Sequence, residues 1–167
     1  MPNTNQTDKH FLNLAYEYAK EFSPDPRTQN GAIIVDPTTL EIISYGANRF
    51  PEGVKNLPER LQPEIKKDYL EHAERDAIFS ALRKGRCTQG MTMYVPWFAC
   101  TDCAKAIIGA GIKCVVGHLA PCSTSSTWSA SINTGLIILE EANVKYRYYD
   151  GPVGVKNLRF SGEVIDR

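Results

Sequence analysis

Two short clusters carry side chains that do chemistry: His72-Ala73-Glu74 and Cys100-Thr101-Asp102-Cys103, with residues 75–99 between them. Two thiols three positions apart at a helix start lie on one side of that terminus. Backbone N–H groups and the helix dipole there favour thiolate over thiol. Two thiolates and one imidazole suit zinc at about 2.0–2.3 Å, and the thiolates neutralise the ion. If two helices aim their N-termini at a common centre, His72, Cys100 and Cys103 hold one zinc per chain and leave a fourth position for water. Glu74 follows His72 too closely along the helix start to be a comfortable fourth ligand, so it leans over the open position. A carboxylate there can take a proton from water and deliver it to a ring nitrogen and then to a leaving amine.

A rival reading stays open. Structural zinc sites normally have four protein ligands, and Cys87, Cys114, Cys122 or His118 offers the fourth. Against it stands the ordered pattern, His-x-Glu at one helix start and Cys-x-x-Cys at the next, which zinc nucleobase deaminases share.

The elements that must position these groups are legible from periodicity. Thr7-Asp8 caps a first helix with Phe11, Leu14, Ala15, Tyr18 and Phe22 at helical spacing, and Ser23-Pro24-Asp25-Pro26 ends it. The apolar run Gly31–Val35, the turn Asp36-Pro37-Thr38-Thr39 and the return Ile42–Tyr45 predict a hairpin over 31–46. Residues 47–68 are an irregular stretch with three prolines, and loops of that length usually serve function. Helices are expected over 70–84, 103–110 and 129–142, and strands over 91–95, 113–117 and 144–148. Residues 150–167 are expected as a polar tail on a single domain whose core is 7–149. That order predicts an α/β fold of three layers, α-β-α, with a mixed five-stranded sheet whose strands run parallel from residue 91 onward.

Composition limits the partners. The 167 residues balance 19 Lys+Arg against 19 Asp+Glu, which weighs against a grip on long nucleic acid while leaving a small anion possible. No apolar run approaches the ~20 residues of a membrane span, and the polar N-terminus lacks an apolar signal core. A soluble cytoplasmic protein is expected. Five cysteines, an odd number without a secretion signal, argue against a disulfide framework. Cys87, Cys114 and Cys122 are read as bystanders, and His10 and His118 as ordinary histidines.

From Asp25 to about His118 the chain resembles the deoxycytidylate (dCMP) deaminases of the zinc-dependent cytidine deaminase superfamily. The resemblance rests on Ser23–Ala32, Gly46–Val54, His72-Ala73-Glu74-Arg75-Asp76-Ala77-Ile78 and Met93–Ile108, with a further similarity at Glu141–Arg147. It implies a cytidine deaminase-like fold, zinc ligands at His72, Cys100 and Cys103, and Glu74 as proton shuttle. The implied reaction is hydrolysis of dCMP to dUMP and ammonia. It further implies Asn48 on the sugar, and Ala73 and Phe98 are taken to face substrate as well. Of the two aromatics Trp97 and Phe98, only one needs to face the base, and the other reads as core. Arg27 reads equally as a partner for a 5′-phosphate and as a solvated loop residue. Arg49, Glu52 and Gly53 lie where the family contacts regulatory nucleotides, which implies dCTP and dTTP as effectors and a homo-oligomer such as a hexamer. Residues 49–71 contain no Cys or His, so a second zinc is not expected. Four departures from the family pattern bear on the pocket: Asn30, Arg49, the Pro96-Trp97 pair, and Ala99 where a proline is usual. Cytidine, dCTP, guanine and tRNA adenosine remain alternative substrates.

Overall fold

The computed structural model describes residues 4–122 and 129–167 of the chain. Helix α1 (Thr4–Phe22) precedes the hairpin β1 (Gly31–Val35) and β2 (Ile42–Ala47). A 3-10 turn at Pro58–Leu61 and one helical turn, α2 (Lys66–Tyr69), interrupt the stretch expected to be irregular. Helix α3 (Ala73–Arg83), β3 (Thr92–Tyr94), α4 (Thr101–Gly109) and β4 (Cys114–His118) follow. The short α5 (Leu119–Cys122), α6 (Ser129–Glu141), β5 (Lys145–Tyr149), β6 (Leu158–Phe160) and β7 (Glu163–Ile165) complete the order.

The five-stranded sheet runs β2-β1-β3-β4-β5. β1 pairs antiparallel with β2 and β3, while β3/β4 and β4/β5 are parallel, as the helical crossovers require. Every residue of β1 is buried because the strand serves both faces. Ala32 and Ile34 join the core under α3, α4 and α6, whereas Ile33 and Val35 join the core under α1. Side chains alternate across a strand, so the rule carries into β4: Val115 faces one core and Val116 the other. The expected three-layer architecture is the observed one.

Close approach fixes where α3 sits. A Cβ on Gly46 of β2 would collide with the backbone of Ala73 and Ala77, and Ser44 Oγ donates to Ala77 O at 2.8 Å. Asp76 locks the same contact: its carboxylate accepts from the Ala47 N–H (3.0 Å) and Arg49 Nε (2.8 Å). The start of α3, and His72 with it, is thereby held against the sheet.

Two expectations change. Asp8 is not a cap, because α1 begins at Thr4. Its buried carboxylate instead takes a forked bond from Arg147 of β5, at 2.7 and 2.8 Å. Nor do residues 150–167 form a polar tail. Val153, Val155, Leu158 and Phe160 are buried, and the first three extend the core under α1. The apolar positions are spaced too irregularly for a periodic signal, and their partners lie far off in sequence.

Candidate active site

The two clusters occupy equivalent positions on two helices. His72 is the N-cap of α3 and Cys100 the N-cap of α4, both in extended conformation. Their carbonyls accept the first intrahelical bonds, from the N–H of Asp76 (2.9 Å) and of Ala104 (2.8 Å). Each side chain therefore stands at a helix mouth, where N–H groups lack intrahelical partners. The two mouths converge. His72 Nδ1 lies 3.6 Å from Cys100 Sγ and 3.4 Å from Cys103 Sγ, and all three donor atoms fall within 4.8 Å of one another.

These separations test the fit to a metal. Zinc–nitrogen and zinc–sulfur bonds of about 2.0–2.1 and 2.3 Å at tetrahedral angles put N and S about 3.6 Å apart. The observed pairs match, and an imidazole with two thiols is a zinc donor set. His72, Cys100 and Cys103 could hold the ion.

The electrostatics follow from packing three such groups together. Hydrogen bonding from Cys103 and from His72 draws the Cys100 thiol down to about 4. The Cys103 thiol moves up, because Cys100 and burial oppose a second negative charge. Hydrogen bonding to Cys100 raises His72. Glu74, 2% exposed, is pushed up chiefly by burial. A carboxyl in this setting favours its protonated form more than a surface glutamate does.

The candidates for a fourth protein ligand are elsewhere. Cys114 and His118 project from β4 on the parity of Val116, towards α1, so the sheet separates them from the cluster. His118 Nδ1 is 2.8 Å from the Tyr16 hydroxyl and its Nε2 is 2.9 Å from Gly151 O. Arg147 donates to Cys114 Sγ at 3.1 Å. Cys87 is exposed, and the side chain of Cys122 lies outside the described residues. Among the described residues, His72, Cys100 and Cys103 form the one metal-type cluster.

A cleft of about 550 Å³ opens over the cluster. His72, Ala73, Glu74 and Cys100 line it, together with the expected Arg27, Asn48 and Phe98. Phe98 is 3% exposed and packs on Tyr146 and Tyr148, so it gives the cleft a rigid apolar wall. Asn48 is more occupied than a ligand-binding amide needs to be. Its Oδ1 accepts from the Asn30 N–H (2.8 Å), and its Nδ2 donates to Thr28 O (2.7 Å) and Asp25 Oδ2 (3.4 Å). It ties the loop after α1 to the end of β2. Arg49, Glu52 and Gly53 are not in the cleft lining. Arg49 is committed to Asp76, and Glu52 pairs with Arg83 at 3.2 Å on the surface. Gly53 takes a left-handed φ of 86° in the turn after β2.

Several lining residues were invisible in the sequence. Lys66 and Lys67 reach the cleft from the four-residue α2, too short to give a periodic signal. Lys66 Nζ sits 2.6 Å from Asp25 Oδ2 across 41 positions of sequence. Asn30 and Trp97, by contrast, were among the departures expected to bear on the pocket, and both line it: Asn30 Oδ1 accepts from the Trp97 N–H at 3.3 Å. Ser161 enters from the C-terminal hairpin. A dipeptide Ser161-Gly162 between two short apolar segments was the available turn signal.

Comparison with known proteins agrees with this geometry. A family model described as the cytidine and deoxycytidylate deaminase zinc-binding region matches residues 5–119. The deoxycytidylate deaminase of Mus musculus is 40% identical over 114 residues, covering 65% of this chain and 62% of that protein. The chain thus spans less than two thirds of that relative's length. An Aliivibrio fischeri protein described as an uncharacterized deaminase in the luxG 3′ region is 33% identical over 137 residues, 82% of this chain and 89% of that one. The fold is also that of the dCMP deaminase of cyanophage S-TIM5, solved with dCMP and dUMP. The TM-score is 0.65 at 21% identity, covering 86% of this chain and 96% of the other. The family match encloses His72, Glu74, Cys100 and Cys103, and the chain belongs to the cytidine and deoxycytidylate deaminase zinc-binding family.

Proposed function

We propose that the protein hydrolyses dCMP to dUMP and ammonia. The observation that carries this reading is the buried Glu74 beside the His72, Cys100 and Cys103 donors at the base of a cleft edged by cations. Zinc held by His72 Nδ1 and the two sulfurs supplies the Lewis acidity that makes water nucleophilic at neutral pH. Glu74 does the proton work. Its carboxylate takes a proton from the attacking water and delivers it to cytosine N3. Glu74 then takes the remaining water proton from the new C4 hydroxyl and passes it to the C4 amine, whose C–N bond breaks to release ammonia as the C4 carbonyl forms. Burial suits the group to this exchange, since a raised pKa lets it give protons as well as take them.

The remaining contacts place the nucleotide. The Ala73 N–H is one of the first-turn groups of α3 without an intrahelical partner, and it can donate to the pyrimidine carbonyl. Phe98 walls the base, and Asn48 has one Oδ1 lone pair left for a sugar hydroxyl. Lys66 is neutralised by Asp25, whereas neither Arg27 nor Lys67 has an ion-pair partner among the described residues. These two cations are assigned to the 5′-phosphate.

Exposed Phe79 and Leu82 on α3, 42% and 72% accessible, support assembly of several copies, of which a hexamer is one form. Glu52 and Gly53, exposed after β2, are the place for a dCTP or dTTP effector, with Arg49 behind them. Calorimetric titration with dTTP checks the effector site, and a flat trace removes it. Among the described residues no helix is long and apolar enough to cross a membrane. The free thiols of Cys87, Cys100, Cys103 and Cys114 support a reducing, cytoplasmic setting.

Ammonia release from dCMP, CMP, dCTP, deoxycytidine, cytidine and guanine tests the reaction. The reading requires dCMP to lead the panel. Preference for a free nucleoside or for guanine would overturn it.

A further inference from the structure

The C-terminal hairpin does more than cover the core under α1. β6 and β7 pair antiparallel with Phe160 opposite Glu163, leaving Ser161-Gly162 as a two-residue loop. Both loop residues have positive φ, 54° and 89°, the geometry of a type I′ turn. That tip is set against the loop after α1. The Ser161 N–H donates to Thr28 Oγ1 (3.1 Å), and the Gly162 N–H donates to Arg27 O (2.9 Å).

Arg159 makes the contact continuous. Its N–H donates to Gln29 Oε1 (3.0 Å), and its carbonyl accepts from the Gln29 N–H (2.9 Å). Its guanidinium donates to Asp25 O (3.2 Å) and Ser23 O (3.5 Å). One face of the 23–29 segment is therefore hydrogen-bonded by a hairpin some 130 residues away in sequence. The other face carries the cleft, lined by Asp25, Arg27 and Thr28, and the Asn48 amide grips the same loop at Thr28 O. Phe160 meets Trp97 edge-on, with centroids 5.2 Å apart, so the hairpin also braces the tryptophan that Asn30 of the loop bonds. Ser161 completes the rim.

We propose that the hairpin, through Arg159 and the Ser161-Gly162 tip, is a substrate-positioning element of the cleft. It holds the 25–30 loop where Arg27 meets the phosphate end of the nucleotide, and so governs substrate affinity without touching the proton chemistry at Glu74. This rests on the dCMP reading above. Arg159 is a positioning residue: its guanidinium spends its bonds on loop carbonyls. Arginine suits the task because its fork serves two acceptors at once.

Steady-state kinetics with dCMP and with deoxycytidine, alongside zinc content and Tm, test it. Arg159→Ala is expected to raise KM for dCMP about tenfold while kcat stays within about threefold and bound zinc is unchanged. The preference for dCMP over deoxycytidine should fall by about the same factor, because the phosphate contact is what the loop supplies. Arg159→Lys should recover part of the loss, with a single ammonium nitrogen in place of the planar fork. Gly162→Val strains the exposed tip at its positive φ and is expected to give a smaller rise of about threefold. It carries the test by itself should Arg159→Ala fail to fold. Unchanged KM in both variants, or loss of kcat at constant KM, overturns the positioning role and leaves the dCMP reading standing. A wild-type protein that does not convert dCMP overturns that reading, and this inference with it.

Discussion

The two faces of the sheet hold nearly the same reactive residues and use them in opposite ways. Under α3 and α4 stand His72, Glu74, Cys100 and Cys103; under α1 stand His118, Asp8 and Cys114. Both sets are largely buried. On the α1 face every group is answered by protein: His118 by Tyr16 and Gly151, and Asp8 and Cys114 by Arg147. On the other face the donors answer one another and converge on a point, with no lysine or arginine bonded to either sulfur among the described residues. Residue type therefore does not make a metal site. Convergence of donors at two helix mouths does, because it sets one imidazole and two thiols at the spacing a zinc ion requires.

The largest effect that would break this contrast is on metal content. Cys103→Ser should lose stoichiometric zinc and all activity, whereas Cys114→Ser should keep both, as read by metal analysis of the purified proteins. Retention of zinc in the first and loss in the second would reverse the assignment of the two faces. Removing one member of the α1-face ion pair is expected to act on stability alone. Asp8→Asn should cost about 1–3 kcal/mol, since Arg147 is partly exposed and keeps some solvation. Denaturant unfolding measures that loss, with zinc content as the control.

The smallest effect is a pH dependence. Burial chiefly holds the His118 pKa below its ordinary 6.5, opposed by the bond to Gly151 O and reinforced by the Arg167 charge. Between the two values the unfolded chain binds the extra proton, so stability is present above about 6.5 and is lost as pH falls through the folded value. His118→Gln can still bond Tyr16 and Gly151, and its Tm should fall less than that of wild type between pH 7 and 5. Equal slopes would remove His118 from the account.

The same contrast explains what the sequence made legible. The catalytic-face cluster is local: two short motifs, each at a helix start, whose donors need only the correct order of elements to meet. The five strands and four longer helices were legible for the same reason, since periodicity within each segment names the buried face. What escaped is non-local. Lys66 with Asp25, Arg159 with Gln29, and Arg147 with Asp8 are separated by 41, 130 and 139 positions, and no pattern within either segment announces the partner. The C-terminal segment reads as polar because Val153, Val155, Leu158 and Phe160 are buried singly between exposed or half-exposed neighbours. Asn48 shows a different limit. Its type alone suits a turn, the motif around it favours a sugar contact, and only the fold reveals the three bonds it makes within the protein.

The central claim is that Glu74 moves the protons of a hydrolytic deamination while the neighbouring donors hold zinc. The most direct test is dCMP-to-dUMP conversion by wild type and Glu74→Gln at equal bound zinc. The account predicts one zinc per chain in both proteins and a loss of about 10²–10⁴-fold in kcat for the variant. Turnover by Glu74→Gln within a few-fold of wild type would contradict it.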